Sequence, residues 1–268
     1  MSREIRHIVG LSGGKDSAAL AIFLRDRIPQ LDYVFSDTDK ELPETYDYLA
    51  RLEAHLGKKI INLRAERGFD HWLEVYGGYL PSPRMRWCTK MLKIRPFEQY
   101  VESLGDVDVR MYVGIRADEN RGGYRPTKPN ITPVYPFVEV GYSLADVHRI
   151  LEESGLGVPA YYSWRTRSGC FFCFYQRKNE WLGLKENHPD LFVAAQRYEK
   201  TDARTGVRYT WSERESLAEL EQPGRAAEIR AKPTKSCALP TDKSTKLLYI
   251  LDKDDDGSDP LPCSFCHV

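Results

Sequence analysis

The stretch Ile8-Val9-Gly10-Leu11-Ser12-Gly13-Gly14-Lys15-Asp16-Ser17, followed by Ala18-Ala19-Leu20-Ala21-Ile22-Phe23-Leu24, decides the fold. An apolar run, a glycine turn and a second apolar run read as a buried strand, a tight turn and a helix. Successive N–H groups at such a turn, the positive end of the helix dipole and a lysine together make a cradle for phosphate or pyrophosphate. The spacing is neither G-x-x-x-x-G-K-[ST] nor G-x-G-x-x-G, so γ-phosphate transfer and dinucleotide binding are not indicated.

The alternation continues outward. The first helix is expected to end near Ile28-Pro29, and Asp32–Ser36 reads as a second strand running into Asp37-Thr38-Asp39. Pro43 opens a helix to about His55 with Gly57 as its stop, and Lys59–Leu63 reads as a third strand. Val109–Ile115 reads as a further strand, with Arg116, Asp118, Glu119, Arg121 and Arg125 at its C-terminal end. Ser143 is expected to cap a helix reaching about Ser154. The fold class is therefore α/β, a mostly parallel doubly wound sheet whose ligands gather at the C-terminal strand ends. Residues 1–160 are expected to form this domain, and residues 161–268 a helical, cysteine-bearing extension. Within the extension, Glu213–Arg230 reads as helical on either side of Pro223-Gly224, Lys246–Leu251 as a strand, and Asp252–Pro262 as an acidic loop.

Composition excludes little. The 268 residues are 41% hydrophobic and carry 39 Lys+Arg against 39 Asp+Glu, so local charge has to carry any argument about partners. The opening residues precede only a short apolar strand, and a cytoplasmic protein with no membrane partner is expected. The six histidines show no metal-binding spacing. Cysteines stand at 88, 170, 173, 237, 263 and 266, two pairs of them as C-x-x-C. In a cytosolic chain such pairs more often bind metal or do redox chemistry than form disulfides. Cys88, Cys170 and Cys173 with Cys263, Cys266 or Cys237 make a four-thiolate set for a [4Fe-4S] cluster. Cys170, Cys173, Cys263 and Cys266 make one for Zn2+, and free thiols carrying persulfide sulfur are a third reading.

Pro81–Pro96 holds Arg84, Arg86, Lys90, Lys93 and Arg95 around Trp87-Cys88, with no acidic residue. Tyr161–Arg167 likewise mixes aromatics with arginines. Both suit a single-stranded nucleic-acid groove, which needs stacking and phosphate neutralisation. Ordinary packing of amphipathic side chains is the alternative.

Ser12-Gly13-Gly14-Lys15-Asp16-Ser17 is the full S-G-G-x-D-S pattern and resembles the pyrophosphate loop of the ATP pyrophosphatase (PP-loop) superfamily, whose fold is the adenine nucleotide alpha hydrolase-like one. Asp37-Thr38, Leu42-Pro43-Glu44-Thr45, Trp87-Cys88-Thr89-Lys90-Met91-Leu92-Lys93 and Gly114-Ile115-Arg116-Ala117-Asp118-Glu119 with Arg121 are similar, in the same order, to the phosphoadenylyl sulfate (PAPS) reductase branch. The resemblance implies ATP with Mg2+, and adenylyl chemistry instead of phosphoryl transfer. It implies phosphate binding by Ser12, Gly13, Gly14, Lys15, Asp16 and Ser17, a nucleoside near Asp37, and anion neutralisation by Lys90, Lys93, Arg116 and Arg121. Lys15, Asp16, Lys90 and Arg116 are the expected catalytic groups. The reductase tail carrying a Glu-Cys-Gly-His thiol is replaced here by Pro262-Cys263-Ser264-Phe265-Cys266-His267-Val268, and Cys88 lacks the adjacent cysteine of the cluster-bearing reductases. Ser168-Gly169-Cys170-Phe171-Phe172-Cys173-Phe174 instead looks like the sulfurtransferases of DNA phosphorothioate modification. That likeness implies DNA and a cysteine desulfurase as partners, favours the [4Fe-4S] cluster, and is compatible with a homodimer. Sulfate reduction, or a non-catalytic nucleotide- or nucleic-acid-binding role, are the alternative readings.

Overall fold

The computed structural model describes residues 3–119, 122–212 and 215–232. β1 (Glu4–Leu11), β2 (Leu31–Asp37), β3 (Ile60–Arg64), β4 (Val107–Tyr112) and β5 (Ile131–Val134) form one sheet in the order β3-β2-β1-β4-β5. Every pairing is parallel, with Val9 opposite Tyr33 on one side and Tyr112 on the other. The order places β1 at the centre with β2 and β4 beside it, so the chain turns outward in both directions from the end of β1. At the β5 edge Pro133 lies opposite Met111, while the carbonyls of Asn130 and Val134 accept from the amides of Val109 and Val113.

Helices cover both faces, as the alternating pattern required. On one face, α1 (Lys15–Arg25), α2 (Pro43–Leu56) and α7 (Leu144–Glu153) build a core around Val9, Leu20, Phe35, Leu52, Phe137 and Leu151. α2 ends on Gly57 in the left-handed region (φ 65°), the stop expected from the sequence. α7 starts at the expected cap, where the amide and hydroxyl of Ser143 both donate to Asp146 Oδ2 at 2.9 Å. Short α6 (Pro136–Glu139) leads into that cap.

On the other face, α3 (Phe69–Val75) is followed by the single turn α4 (Trp87–Thr89), a π-helical turn over Lys90–Ile94, and α5 (Arg95–Ser103). α8 (Lys178–Asn187) and α9 (Pro189–Gln196), the two-residue strands β6 (Lys200–Thr201) and β7 (Arg208–Tyr209), α10 (Leu217–Leu220) and α11 (Pro223–Ala231) complete the described chain. Pro223 begins α11, so the expected break is the first residue of a new helix. The Lys246–Leu251 strand, the acidic loop, Arg121, Cys237, Cys263 and Cys266 lie outside the described residues. Among the described residues no helix is long and apolar enough to cross a membrane.

Two features fix the site's surroundings. An aromatic cluster joins the two halves of the sequence: the Phe69 ring centroid lies 4.3 Å from Phe172, 5.0 Å from Trp87 and 5.2 Å from Tyr198. Asp37, the last residue of β2, is buried and accepts from the Asp39 amide (2.9 Å), Tyr46 Oη (2.8 Å), Asn62 Nδ2 (3.3 Å) and Arg64 NH2 (2.7 Å). Burial alone would raise this carboxyl's pKa, but these donors outweigh it and hold the pKa below the ordinary 3.8. Asp39 supplies the turn with a non-glycine φ of 56°.

Phe69→Ala is expected to cost about 3–5 kcal/mol in a denaturant melt, because it hollows the cluster that joins the halves. The Asp37 contribution has the sign of a depressed carboxyl. It is fully present above the unfolded value near 3.8 and is lost as pH falls below that toward the lower folded value. Denaturation midpoints measured on acidification should therefore fall through this window in the wild type and less steeply in Asp37→Asn.

Candidate functional site

β1 ends at Leu11 and α1 begins at Lys15, so the glycine turn lies at the C-terminal end of the central strand. Gly13 has φ 69°, and a Cβ there would stand 2.4 Å from Thr45 Cγ2, so both conformation and space exclude a side chain. Gly14 is the N-cap of α1 and gives it no side-chain cap. The serines close the turn: Ser17 Oγ accepts from the Ser12 amide at 3.1 Å and donates to the Gly14 carbonyl at 3.2 Å.

Charge converges on Asp16. Its Oδ1 meets Arg116 NH1 at 2.6 Å and its Oδ2 meets Lys15 Nζ at 3.4 Å. Arg116 also reaches Asp118 at 2.8 Å and Glu119 at 2.9 Å, so the cation at the β4 end is enclosed by three carboxylates. Burial would weaken both cations, yet their pKa values stay above the usual ones: Tyr162 and Asp16 outweigh burial at Lys15, and Asp16 and Glu119 at Arg116. Both are therefore charged at neutral pH and offer a polyanion two fixed positive groups.

A second centre lies at the end of β2. Cys88, Cys170 and Cys173 line one cavity of ≈ 30 Å³, together with Thr38, Phe69 and Lys93. That is room for on the order of two water molecules. The C-x-x-C turn is held there by its backbone. The Phe171 amide donates to the Lys40 carbonyl at 2.7 Å, and Arg165 donates to the Gly169 and Cys170 carbonyls, each at 2.9 Å. Cys170 Sγ lies 3.1 Å from Thr38 Oγ1 and donates to Glu41 Oε1 at 3.6 Å. Burial first, then the Glu41 carboxylate, push the Cys170 thiol well above its usual pKa, so it is protonated at neutral pH. Buried Lys93 approaches the same Glu41 oxygen at 3.9 Å, and Glu41 Oε2 is buried with no hydrogen-bond partner.

The residues expected from the sequence fall into separate places. Ser12–Ser17, Arg116 and the two glycines gather at the β1 end, and Cys88, Cys170, Cys173 and Lys93 at the β2 end. Lys90 does not join Lys93: the π-helical turn leaves Lys93 buried and Lys90 exposed. Asp37 faces its four donors instead of open space. The nucleic-acid groove expected at Trp87 and Tyr161–Arg167 is corrected in part. Trp87, Tyr161 and Arg165 are buried, the tryptophan stacked 5.3 Å from Tyr76, so none of the three offers a face to a base. Glu41 was missed, although an acid following Asp37-Thr38-Asp39-Lys40 at a strand end was the available signal.

The donor set at the cavity suits a thiolate-bound metal in kind, and the orphaned Glu41 oxygen marks an unfilled polar requirement beside it. Among the described residues, however, no group of three or more His, Cys, Asp or Glu is arranged to hold a metal ion. The expected fourth ligand, Cys263, lies outside them.

Residues 6–132 match the phosphoadenosine phosphosulfate reductase domain. An uncharacterized protein of Methanocaldococcus jannaschii is 30% identical over 196 residues, covering 69% of this chain and 39% of that protein. The tRNA-specific 2-thiouridylase MnmA of Lacticaseibacillus paracasei is 30% identical over 133 residues, covering 44% of this chain and 35% of that enzyme. The chain thus spans well under half the length of either relative. A phosphoadenylyl-sulfate reductase from Candida auris superposes with a TM-score of 0.48 at 16% identity, covering 62% of this chain and 81% of that one. With the S-G-G-x-D-S turn at the head of the five-stranded parallel sheet and this match over residues 6–132, that part of the chain is a phosphoadenosine phosphosulfate reductase-like domain of the ATP pyrophosphatase type.

Proposed function

We propose that this protein is an ATP pyrophosphatase that adenylylates an acceptor for sulfur transfer, the acceptor being nucleic acid and, from the Ser168–Phe174 resemblance, the DNA backbone. The observation that carries the reading is the pairing of a complete pyrophosphate loop with a cavity lined by three cysteines at the neighbouring strand end. The thiouridylase relative, which by its name thiolates transfer RNA, supports sulfur transfer to a nucleic acid in general. Residues 1–160 would bind and cleave the nucleotide and residues 161–268 would supply sulfur handling, with a cysteine desulfurase as donor.

On this reading an acceptor oxygen attacks the α-phosphorus of ATP, the bond to the bridging oxygen breaks, and pyrophosphate departs into the Ser12–Ser17 turn. Lys15, the α1 dipole and the turn's N–H groups stabilise the charge that develops on the leaving group. Arg116 holds Asp16 in place at the same strand end. A persulfide sulfur then bonds to the activated acceptor, the bond from the acceptor to the adenylylated oxygen breaks, and AMP leaves with that oxygen. A second thiol supplies the two electrons that release the sulfur by forming a disulfide with the donor cysteine. Cys88, Cys170 and Cys173 are the residues that would hold a [4Fe-4S] cluster, which when bound supplies iron for binding sulfur. The domain match itself favours a second reading, a phosphoadenylyl or adenylyl sulfate reductase releasing sulfite.

Incubation with ATP and separately with phosphoadenylyl sulfate, assaying pyrophosphate and sulfite, divides the two. The expected outcome is pyrophosphate and AMP from ATP and no sulfite, and sulfite from phosphoadenylyl sulfate would sink the first reading. Lys15→Ala is expected to abolish pyrophosphate release with the melting temperature unchanged. Anaerobic purification with an absorption spectrum and iron and zinc analysis is expected to find iron bound, with the signal lost in Cys170→Ser.

A further inference from the structure

The Ser12–Ser17 turn is covered by a segment from the second half of the chain. Tyr161 Oη donates to the Gly13 carbonyl at 2.8 Å, the Lys15 amide donates to Tyr162 Oη at 3.3 Å, and Ser168 Oγ donates to Ser12 Oγ at 3.1 Å. Lys15 Nζ sits 4.5 Å above the centre of the Tyr162 ring. The approach is close: a Cβ on Gly14 would stand 2.8 Å from Ser168 Oγ and 3.1 Å from Tyr162 Oη. The same segment ends at the thiol cavity, where Arg165 grips the Gly169 and Cys170 carbonyls.

Tyr162 Oη therefore accepts from the N–H at the start of α1, the donor that a phosphate oxygen bound at this helix end would take. A neutral phenol is a poorer acceptor than an anionic oxygen, so an anion wins the competition for that N–H. Releasing Tyr162 removes one of the three bonds that tie residues 161–168 to the loop, leaving those of Tyr161 and Ser168, while Arg165 still holds the stretch to Cys170. We propose that Tyr162 is a placeholder in the pyrophosphate loop, that bound pyrophosphate displaces its hydroxyl, and that the displacement is carried through Arg165 to the Cys170 thiol. Filling the loop thereby changes the cavity in which the thiols lie. The inference rests on the reading of Ser12–Ser17 as a pyrophosphate loop.

The test uses the full chain and inorganic pyrophosphate. By calorimetric titration Tyr162→Phe should bind it about 2- to 10-fold more tightly than the wild type, the effect of removing one neutral hydrogen bond that competes with the ligand. In the wild type, first freed of any iron held by Cys170, saturating pyrophosphate should change the rate of Cys170 alkylation by iodoacetamide severalfold, followed on its own peptide by mass spectrometry. Tyr162→Phe without pyrophosphate should move toward the rate of the filled wild type. Arg165→Lys should bind pyrophosphate as the wild type does and show no such change at Cys170. Weaker or unchanged binding in Tyr162→Phe overturns the proposal, and so does a wild-type Cys170 rate indifferent to saturating pyrophosphate, a measurement that needs no variant. A wild type that binds no pyrophosphate overturns the proposed function with it. Binding without any response at Cys170 overturns this inference alone.

Discussion

A helix that starts directly after a buried strand leaves its first N–H groups facing inward with no partners of their own, and buried donors must be paired. In this protein α1 begins on a glycine that supplies no cap. Its opening turn is instead served by a hydroxyl from far along the chain, Tyr162, while Ser168 bonds to Ser12 beside it. With Tyr161 donating to the Gly13 carbonyl, these bonds hold residues 161–168 across the end of the sheet. Once they are there, the following turn is placed at the end of β2, where Phe171 bonds to Lys40 and the C-x-x-C cysteines line the same cavity as Cys88. The phosphate loop and the thiol cavity are joined because one segment bonds to both, accepting from the Lys15 amide and donating to Gly13 and Ser12.

Electrostatics follow the same economy of pairing. Three cations at the site come with carboxylates: Lys15 with Asp16, Arg116 with Asp16, Asp118 and Glu119, and Lys93 with Glu41, whereas buried Arg165 is held by backbone carbonyls. Buried ions are tolerated when paired, and the pairing keeps them charged and oriented. An incoming polyanion thus competes with fixed carboxylates for cations already in place. At the cavity the outcome differs, since Glu41 raises the Cys170 pKa and keeps the thiol protonated while nothing else is bound.

Much of this was legible in the sequence because it rests on local chemistry. Gly57, Ser143 and Pro223 each do at a helix end what their conformational preferences dictate, and the S-G-G-x-D-S turn needed only its neighbours to be recognised. Residues whose direction depends on tertiary packing were not legible. Tyr161, Arg165 and Trp87 share the composition of a nucleic-acid groove, yet they face inward, where the aromatic cluster buries one and backbone carbonyls hold another. Lys90 and Lys93 lie three residues apart and looked equivalent. A π-helical turn shifts the helix phase between them, and periodicity at 3.6 residues cannot register that shift. The position of Glu41 after the β2 end was legible, but its partners Cys170 and Lys93 come from distant parts of the chain and depend on tertiary packing.

The edge strand β5 carries one further consequence. Its even-numbered carbonyls, from Asn130 and Val134, turn toward β4, so the backbone groups of Ile131 and Pro133 turn away from the sheet. Proline has no N–H, and it stands where an added strand would look for one. A four-residue strand with a donor missing makes a poor template for self-recognition, so the protein guards that border against strand-to-strand aggregation by a backbone defect. This protection survives changes of salt and pH that would neutralise a charged edge.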